Sequence, residues 1–164
     1  MSNLSAVGFA LLIVGLDRLT KWAVDTNMYV GESIGVIPGF FALTYVRNPG
    51  AAFGFLSDAG SWGTPLLAVV SVAAVVALSL LLHRLPVENR WERCAAAAVI
   101  GGALGNLYDR IRIGEVIDFA DVYVGDWHWP AFNIADSAIT LGVIVLLLIS
   151  FMPDKSAADS ASAN

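Results

Sequence analysis

Two aspartates in the last third of the sequence, Asp118 and Asp136, have surroundings suited to acid–base chemistry. Asp118 lies in the segment Gly-Glu-Val-Ile-Asp-Phe, and Asp136 follows it in Phe-Asn-Ile-Ala-Asp-Ser. The connecting loop is long enough to fold back, so the two carboxyl groups can meet. They would then share one proton, so that one activates a water molecule and the other donates a hydrogen bond to a substrate carbonyl. Such a pair hydrolyses a peptide bond without a metal ion, serine or cysteine.

Each aspartate alone has a simpler interpretation. Asp136 lies about two turns into an apolar stretch that contains no Lys or Arg within helical reach. Desolvation there favours a neutral carboxyl, which either shares a proton with a second acid or makes an interhelical hydrogen bond. Asp118 alone is typical of a solvated loop, although its neighbours Val116, Ile117 and Phe119 indicate a segment on or in a membrane.

Other charged residues also lie inside apolar stretches, where ionisable side chains are rare and are usually functional or paired. Asp17 and Lys21 are four residues apart, which predicts an ion pair near a membrane surface with Lys21 reaching outward to water. Arg110, next to Asp109 and four residues after Asn106, could hold a carboxylate or a backbone carbonyl from elsewhere. For both groups a supporting role is favoured over direct chemistry.

The elements that must position these residues are predicted to be membrane-spanning helices. The chain is 57% apolar and only 14% charged, whereas soluble domains are roughly half apolar and a quarter charged. A helix needs about 20 residues to cross the hydrocarbon core, and four such stretches occur, at about 4–24, 62–82, 94–113 and 131–152. The first lacks a basic leader and a cleavage site, so it is predicted to be retained. We therefore predict an all-α integral membrane protein with a single domain, 1–164.

The segments between the predicted spans are short. Residues 25–61 combine Gly and Pro with β-branched and aromatic residues, which predicts a small sheet or folded loop at the membrane surface with a strand over 40–46. Residues 114–130 form a second surface loop whose tryptophans suit the membrane interface. Residues 153–164 are predicted to be disordered. Gly101 and Gly105 have the spacing of closely packed membrane helices.

The composition also excludes several classes of function. A net charge of −5 argues against a nucleic-acid-binding protein. The single cysteine, Cys94, excludes an intrachain disulfide and a cysteine-based zinc site, and the two histidines, His83 and His128, are far apart in sequence. We therefore predict no metal and no cofactor. The positive charges are distributed so evenly that they do not predict the orientation in the membrane.

Five segments, in this order, resemble lipoprotein signal peptidase, the type II signal peptidase of bacteria. They are Asp17-Arg-Leu-Thr-Lys21, Asn48-Pro-Gly-Ala-Ala-Phe53, Gly101-Gly-Ala-Leu-Gly-Asn-Leu-Tyr-Asp-Arg110, Gly114-Glu-Val-Ile-Asp-Phe119 and Phe132-Asn-Ile-Ala-Asp-Ser137. Each segment alone is modest, but together they cover nearly the whole chain, and no motif position departs from the family pattern.

The resemblance implies that Asp118 and Asp136 are the catalytic pair of an aspartyl endopeptidase. It implies that a further set of residues lines or supports the site: Asn48, Gly50, Asn106, Arg110, Asn133 and Ala135, with Asp17 and Lys21 in a supporting shell. It also implies that residues 25–61 form an extracytoplasmic β-cradle, and that part of 114–130 is a short interfacial helix over the site. Both termini would then be cytoplasmic in a bacterial inner membrane.

The substrate implied by the resemblance is a prolipoprotein that already carries diacylglycerol on a cysteine. The signal peptide would be removed by cleavage just before that cysteine, at the outer leaflet. Because the lipid tails and the signal helix both partition into hydrocarbon, the substrate would reach the site within the plane of the bilayer. Membrane lipid is the other expected partner, and we expect a monomer.

Two alternatives from other classes remain open at this stage. A transporter would use intramembrane Asp, Arg and Lys as an ion path. However, four spans are a small number for a transporter, and the sequence shows no internal repeat and no pair of broken helices. A non-catalytic assembly protein would use polar contacts only to hold helices together. It would lose stability, rather than activity, when Asp118 or Asp136 is replaced by Asn.

Overall fold

The computed structural model describes residues 1–50 and 62–152, which form four helices and a four-stranded sheet. The helices are α1 (Asn3–Asn27), α2 (Gly63–Arg84), α3 (Arg90–Ile113) and α4 (Ile134–Ser150). The strands are β1 (Ser33–Ile37), β2 (Phe41–Asn48), β3 (Val116–Val124) and β4 (Trp127–His128). They form an antiparallel meander in the order β1-β2-β3-β4. The chain is therefore helical with a small sheet inserted between helices.

Helix α3 is the centre of the helical part, because α1, α2 and α4 all pack against it. Alanine and glycine make up more than half of its buried residues and let neighbouring backbones come close. A Cβ atom on Gly101 would lie 2.7 Å from the carbonyl oxygen of Ala10, and one on Gly102 would overlap the carbonyl oxygen of Ala135. The tight packing predicted from the glycine spacing is therefore confirmed.

Large apolar side chains cover the outward faces of the helices. They include Leu11, Leu12, Val69, Val70, Leu147 and Leu148, each about half exposed or more. In the described part of the chain, α1 and α2 have the length and composition to cross a membrane, and α4 is a shorter apolar helix of 17 residues. Exposed leucine and valine on this scale are unusual for a protein in water and are expected for one in lipid.

Helix α4 begins three residues later than the predicted start of the span at 131. Phe132 is still extended, because its backbone N–H and C=O bond to the backbone of Ala120 on β3. Asn133 then caps the helix, and its side chain accepts a hydrogen bond from the backbone N–H of Asp136. The entry to α4 is thus joined to the sheet, which places the two elements in a fixed relation.

The strand predicted over 40–46 is present as β2. The sheet, however, also includes strands outside 25–61, and the prediction of an interfacial helix within 114–130 is wrong. That segment forms β3 and β4, joined at Gly125, which has a positive φ of 60°. The physical reason is that β2 is available as a pairing partner: residues 116–122 of β3, mostly apolar and β-branched, pair with β2, with one register shift between Leu43 and Val46. Residues 51–61, at the end of the predicted cradle, and the predicted tail 153–164 lie outside the described residues.

An apolar cluster fixes the sheet on the ends of the helices. Its buried members are Val24 on α1, Tyr45 on β2, and Ile117, Phe119 and Ala120 on β3. Because this cluster holds β3 against α1 and the start of α4, Asp118 is brought beside Asp136 although the two belong to different elements.

Gly102→Ala is expected to lower the free energy of unfolding by roughly 1–3 kcal/mol, because the added methyl group must push α3 away from Ala135. Gly15→Ala on α1 is the matched control: a methyl group there meets no atom within 4 Å, so it is expected to be neutral or stabilising by up to about 1 kcal/mol. Thermal unfolding of the purified protein in detergent measures both. Equal effects of the two substitutions would contradict the close contact of α3 and α4.

Candidate active site

Asp136 occupies the third position of α4 and forms a reciprocal cap with Asn133. The side-chain oxygen of Asn133 accepts from the backbone N–H of Asp136 at 2.9 Å, and Oδ2 of Asp136 accepts from the backbone N–H of Asn133 at 3.2 Å. The carboxylate is therefore fixed at a helix N-terminus, where the helix dipole favours negative charge.

Asp118 lies on β3 with only 2% of its surface exposed. Its two oxygens accept hydrogen bonds from Nδ2 of Asn133 at 2.7 Å and from Nδ2 of Asn48 at 2.9 Å. Asn133 thus contacts both aspartates, one through its side-chain amide and the other through its backbone N–H. The two carboxyl groups line the same cavity, which has a volume of about 680 Å³.

Three asparagines direct their amide N–H groups toward the carboxylates. Asn106 donates to Oδ1 of Asp136 at 2.7 Å, while its own oxygen accepts from Nζ of Lys21 at 2.8 Å. Asn48 follows the same pattern, because its oxygen accepts from the backbone N–H of Gly50 at 3.0 Å. Since ammonium and backbone N–H groups only donate, they hold each amide with its oxygen turned away from the acids.

Lys21 is completely buried and is the charged centre behind this arrangement. Its ammonium lies 2.9 Å from Oδ2 of Asp17, 2.9 Å from Oδ2 of Asp109 and 2.8 Å from the amide oxygen of Asn106. The predicted ion pair with Asp17 is present, but the prediction that Lys21 reaches outward to water is wrong. Inside the helix bundle the ammonium is paired with two carboxylates and donates a hydrogen bond to Asn106, so the side chain gains nothing by turning outward.

Asp109 and Arg18 belong to the same network, although the sequence did not identify their pairing. Arg18 forms an ion pair with Asp109 and lies over the ring of Tyr108, 4.3 Å from its centre. The backbone N–H of Ile117 also donates to Asp109, at 3.4 Å. The available signals were the positions of Arg18 next to Asp17 and of Asp109 three residues after Asn106 on the same helix.

Asp17 connects the network to α4. Its Oδ1 accepts from the backbone N–H of Ala135 at 3.0 Å, and its Oδ2 faces Gly105, where a Cβ atom would lie only 2.6 Å away. Ala135 is fully buried against Gly105. These residues therefore support the start of α4 from behind and do not line the cavity.

The cavity has a polar end and an apolar wall. Six of the ten predicted site residues line it: Asn48, Gly50, Asn106, Arg110, Asp118 and Asp136. The other four, Asn133, Ala135, Asp17 and Lys21, lie behind them. Arg110 points one guanidinium nitrogen at the backbone oxygen of Gly50, 3.5 Å away, so it approaches a backbone carbonyl, which was one of its two predicted partners. The apolar wall is formed by Trp129, Pro130, Ala131, Phe132, Ile139 and Leu141.

The environment of Asp118 favours its protonated form. Burial, followed by the negative charge of Asp136, raises the pKa of Asp118 to about 7, against the opposing hydrogen bonds from Asn48 and Asn133 and the charge of Lys21. A carboxyl group with this pKa gives and takes a proton readily near neutral pH. Together with Asp136 it can hold one proton between two acids.

Other side chains capable of chemistry are engaged elsewhere. His128 pairs with Asp121 at 2.9 Å and stacks on Tyr123, whereas Ser137 donates to the backbone oxygen of Asn133. Ser137 and His128 therefore do not form a nucleophile–base pair. Within residues 1–50 and 62–152, no group of three or more His, Cys, Asp or Glu side chains is arranged to hold a metal ion.

Comparisons with known proteins identify relatives of this chain. The model of the family described as signal peptidase (SPase) II matches residues 9–152. A lipoprotein signal peptidase from Solibacter usitatus is 43% identical over 94% of this chain and 94% of its own, and one from Syntrophus aciditrophicus is 49% identical over 88% and 90%. A bacterial membrane enzyme solved by the in meso method at 2.3 Å is 34% identical, with a TM-score of 0.81 over 90% of this chain and 87% of its own.

Lys21→Met is expected to lower the free energy of unfolding by about 3–5 kcal/mol, because it leaves the buried carboxylate of Asp17 without a counter-charge and Asp109 with Arg18 alone. Thermal unfolding in detergent measures the loss, and Arg112→Met, at an exposed position of α3, is a control expected to change stability by less than about 0.5 kcal/mol. Adding Asp17→Asn to Lys21→Met should restore part of the loss, because the unpaired charge of Asp17 is then removed. If the two substitutions destabilise additively, the ion pair does not hold this region together.

Proposed function

The chain belongs to the signal peptidase II family, and from this membership we propose that it is a membrane peptidase that removes signal peptides from prolipoproteins. The observation that carries the proposal is the cavity in which Asp118 and Asp136 lie on either side of Asn133, at the polar end of an apolar pocket. A peptide bond entering this pocket would meet two acids, several amide donors and a wall suited to lipid.

We propose an aspartyl mechanism with a single proton shared by the pair. One carboxylate removes a proton from water while the other acid donates to the carbonyl oxygen, so that the water oxygen attacks the carbonyl carbon. The amide groups of Asn48, Asn106 and Asn133 hold the acids in place during this step, since each donates to a carboxyl oxygen. Arg110, beside the carbonyl of Gly50, is suited to hold a backbone oxygen of the substrate.

The proposed substrate is a prolipoprotein with diacylglycerol on a cysteine, cut just before that cysteine. Phe132, just before α4, and Ile139 and Leu141 on α4 line the cavity, and they offer an apolar surface for acyl chains or a signal helix. Because the acyl chains and the signal helix both partition into hydrocarbon, we expect the substrate to reach the acids within the plane of the bilayer.

We further propose that all four helices cross the bacterial inner membrane, with both termini in the cytoplasm and the sheet outside. Helix α4, with 17 residues, is about 25 Å long, which suffices for a thin or locally thinned bilayer. Four charged residues within α1 and α3 are paired inside the protein, as intramembrane charges require: Asp17, Arg18, Lys21 and Asp109. The sheet lies at the end of the helices where the two acids are found, so the cleavage site would face outward.

Asp118→Asn and Asp136→Asn are each expected to reduce cleavage of a diacylglyceryl-modified prolipoprotein by at least about 100-fold, because each removes one proton-transfer group. Mass spectrometry of the product should show the lipidated cysteine as the new N-terminal residue. Asp126→Asn, at an exposed turn between β3 and β4, is the control and should cleave normally.

Thermal unfolding of the same variants separates catalysis from structure. Folded but inactive Asp→Asn variants support the peptidase proposal. Normal turnover by either variant removes that residue from the mechanism. Loss of folding in both variants, with the residual folded fraction fully active, favours a purely structural role for the two acids.

The proposed topology is tested by thiol labelling in a Cys94→Ala background, which removes the single native cysteine. Asp126→Cys, beside the sheet, should react with a membrane-impermeant reagent in spheroplasts. Glu88→Cys, in the exposed loop between α2 and α3, should react only after lysis. The opposite pattern would invert the orientation, and reaction of both positions in intact spheroplasts would reject the four-span arrangement.

A further inference from the structure

We infer that the two acids have distinct roles before the reaction begins: Asp136 is the ionised base and Asp118 carries the proton. This inference rests on the proposed peptidase function, which requires only that the pair share a proton and does not say where the proton resides. The distinction follows from the different surroundings of the two side chains.

The surroundings of Asp136 stabilise a negative charge. It stands in the first turn of α4, where the unpaired backbone N–H groups of the helix carry partial positive charge. Its Oδ1 accepts from Asn106, whose oxygen is bound by the ammonium of Lys21, so a buried cation polarises this donor. Its Oδ2 accepts from the backbone N–H of Asn133. The side chain is also partly exposed in the cavity, where a water molecule can reach it.

The surroundings of Asp118 are less favourable to charge. It is almost fully buried on a strand, which contributes no dipole comparable to that of a helix. Its donors are the amides of Asn48 and Asn133, whose oxygens accept from backbone N–H groups and not from a cation. Neutral amides stabilise a carboxylate less than donors that are charged or are polarised by a neighbouring cation.

Charged groups on three helices act on Asp118. Asp136 on α4 opposes its ionisation, whereas Lys21 on α1 favours it. Arg110 on α3 also attracts both acids, while Asp109 on the same helix offsets part of the charge of Lys21. Burial and the repulsion from Asp136 prevail, and the pKa of Asp118 rises to about 7. At pH 6 the proton therefore resides on Asp118.

With this assignment the proton transfers balance. Asp136 takes a proton from water as the water oxygen bonds to the carbonyl carbon, and Asp118 gives its proton to the carbonyl oxygen, which yields a gem-diol. One gem-diol hydroxyl then returns its proton to Asp118, while Asp136 delivers its proton to the leaving nitrogen and the C–N bond breaks. A carboxylic acid and an amine leave, and the pair returns to its starting state.

Infrared spectroscopy of the purified full chain, labelled with ¹³C at the aspartate carboxyl, tests the assignment without substrate. In the wild type, one protonated aspartate carboxyl band should disappear with a midpoint near pH 7. Asp118→Asn should abolish that titrating band at pH 6. Asp136→Asn should keep it, with a lower midpoint, because the repulsion by a neighbouring negative charge has been removed.

Asp126→Asn is the control and should leave the band and its midpoint unchanged. The assignment is overturned if the band survives in Asp118→Asn, or if Asp136→Asn removes it. Loss of the band in both variants also overturns the assignment, since the proton would then belong equally to both acids. Because no substrate is present, this result is independent of the cleavage assay, so a failure of the assignment is distinguishable from a failure of the peptidase function.

Discussion

A buried ammonium group is the interaction on which the rest of the site depends. Lys21 has no contact with solvent, and placing a charge there would be costly without partners of opposite sign. Asp17 and Asp109 supply those partners, and the third N–H is directed to Asn106. One cation therefore joins α1 to α3 and at the same time determines which end of an amide faces Asp136. Stability and the orientation of a reactive group have a common origin here.

The sheet has an equally direct part in the site. Asp118 reaches the cavity because β3 is held on both sides. It pairs with β2 on one side, and on the other its residue Ala120 is bridged to Phe132, which directly precedes the capped start of α4. A shift of this pairing by one residue would turn Asp118 to the opposite face of the sheet. The connection between α3 and α4 therefore runs through the sheet, and the accuracy of the site depends on strand register as much as on helix packing.

Local patterns predicted where the helices lie and that Asp118 and Asp136 could meet, as they do in lining one cavity, because apolar length and isolated charges are visible in short stretches of sequence. The inward direction of Lys21 was not predictable in this way, since two of its three acceptors belong to a different helix. Strand β3 was missed for the same reason: its partner β2 lies far away in the chain. The resemblance implied a helix in that region, and the pairing with β2 gives a strand. The pairing of Arg18 with Asp109 likewise depends on helix contacts that spacing alone does not reveal.

Gly101 and Gly105 share one sequence motif but serve different purposes. Gly101 lets the backbone of α1 approach, as expected for closely packed membrane helices. Gly105 faces the carboxylate of Asp17 and gives it room to reach the backbone of Ala135. The absence of a side chain at Gly105 thus leaves the space that the Asp17 carboxylate occupies. A substitution at Gly105 would therefore displace a buried carboxylate as well as a neighbouring helix. Its cost depends on electrostatics in addition to the space available for the new side chain.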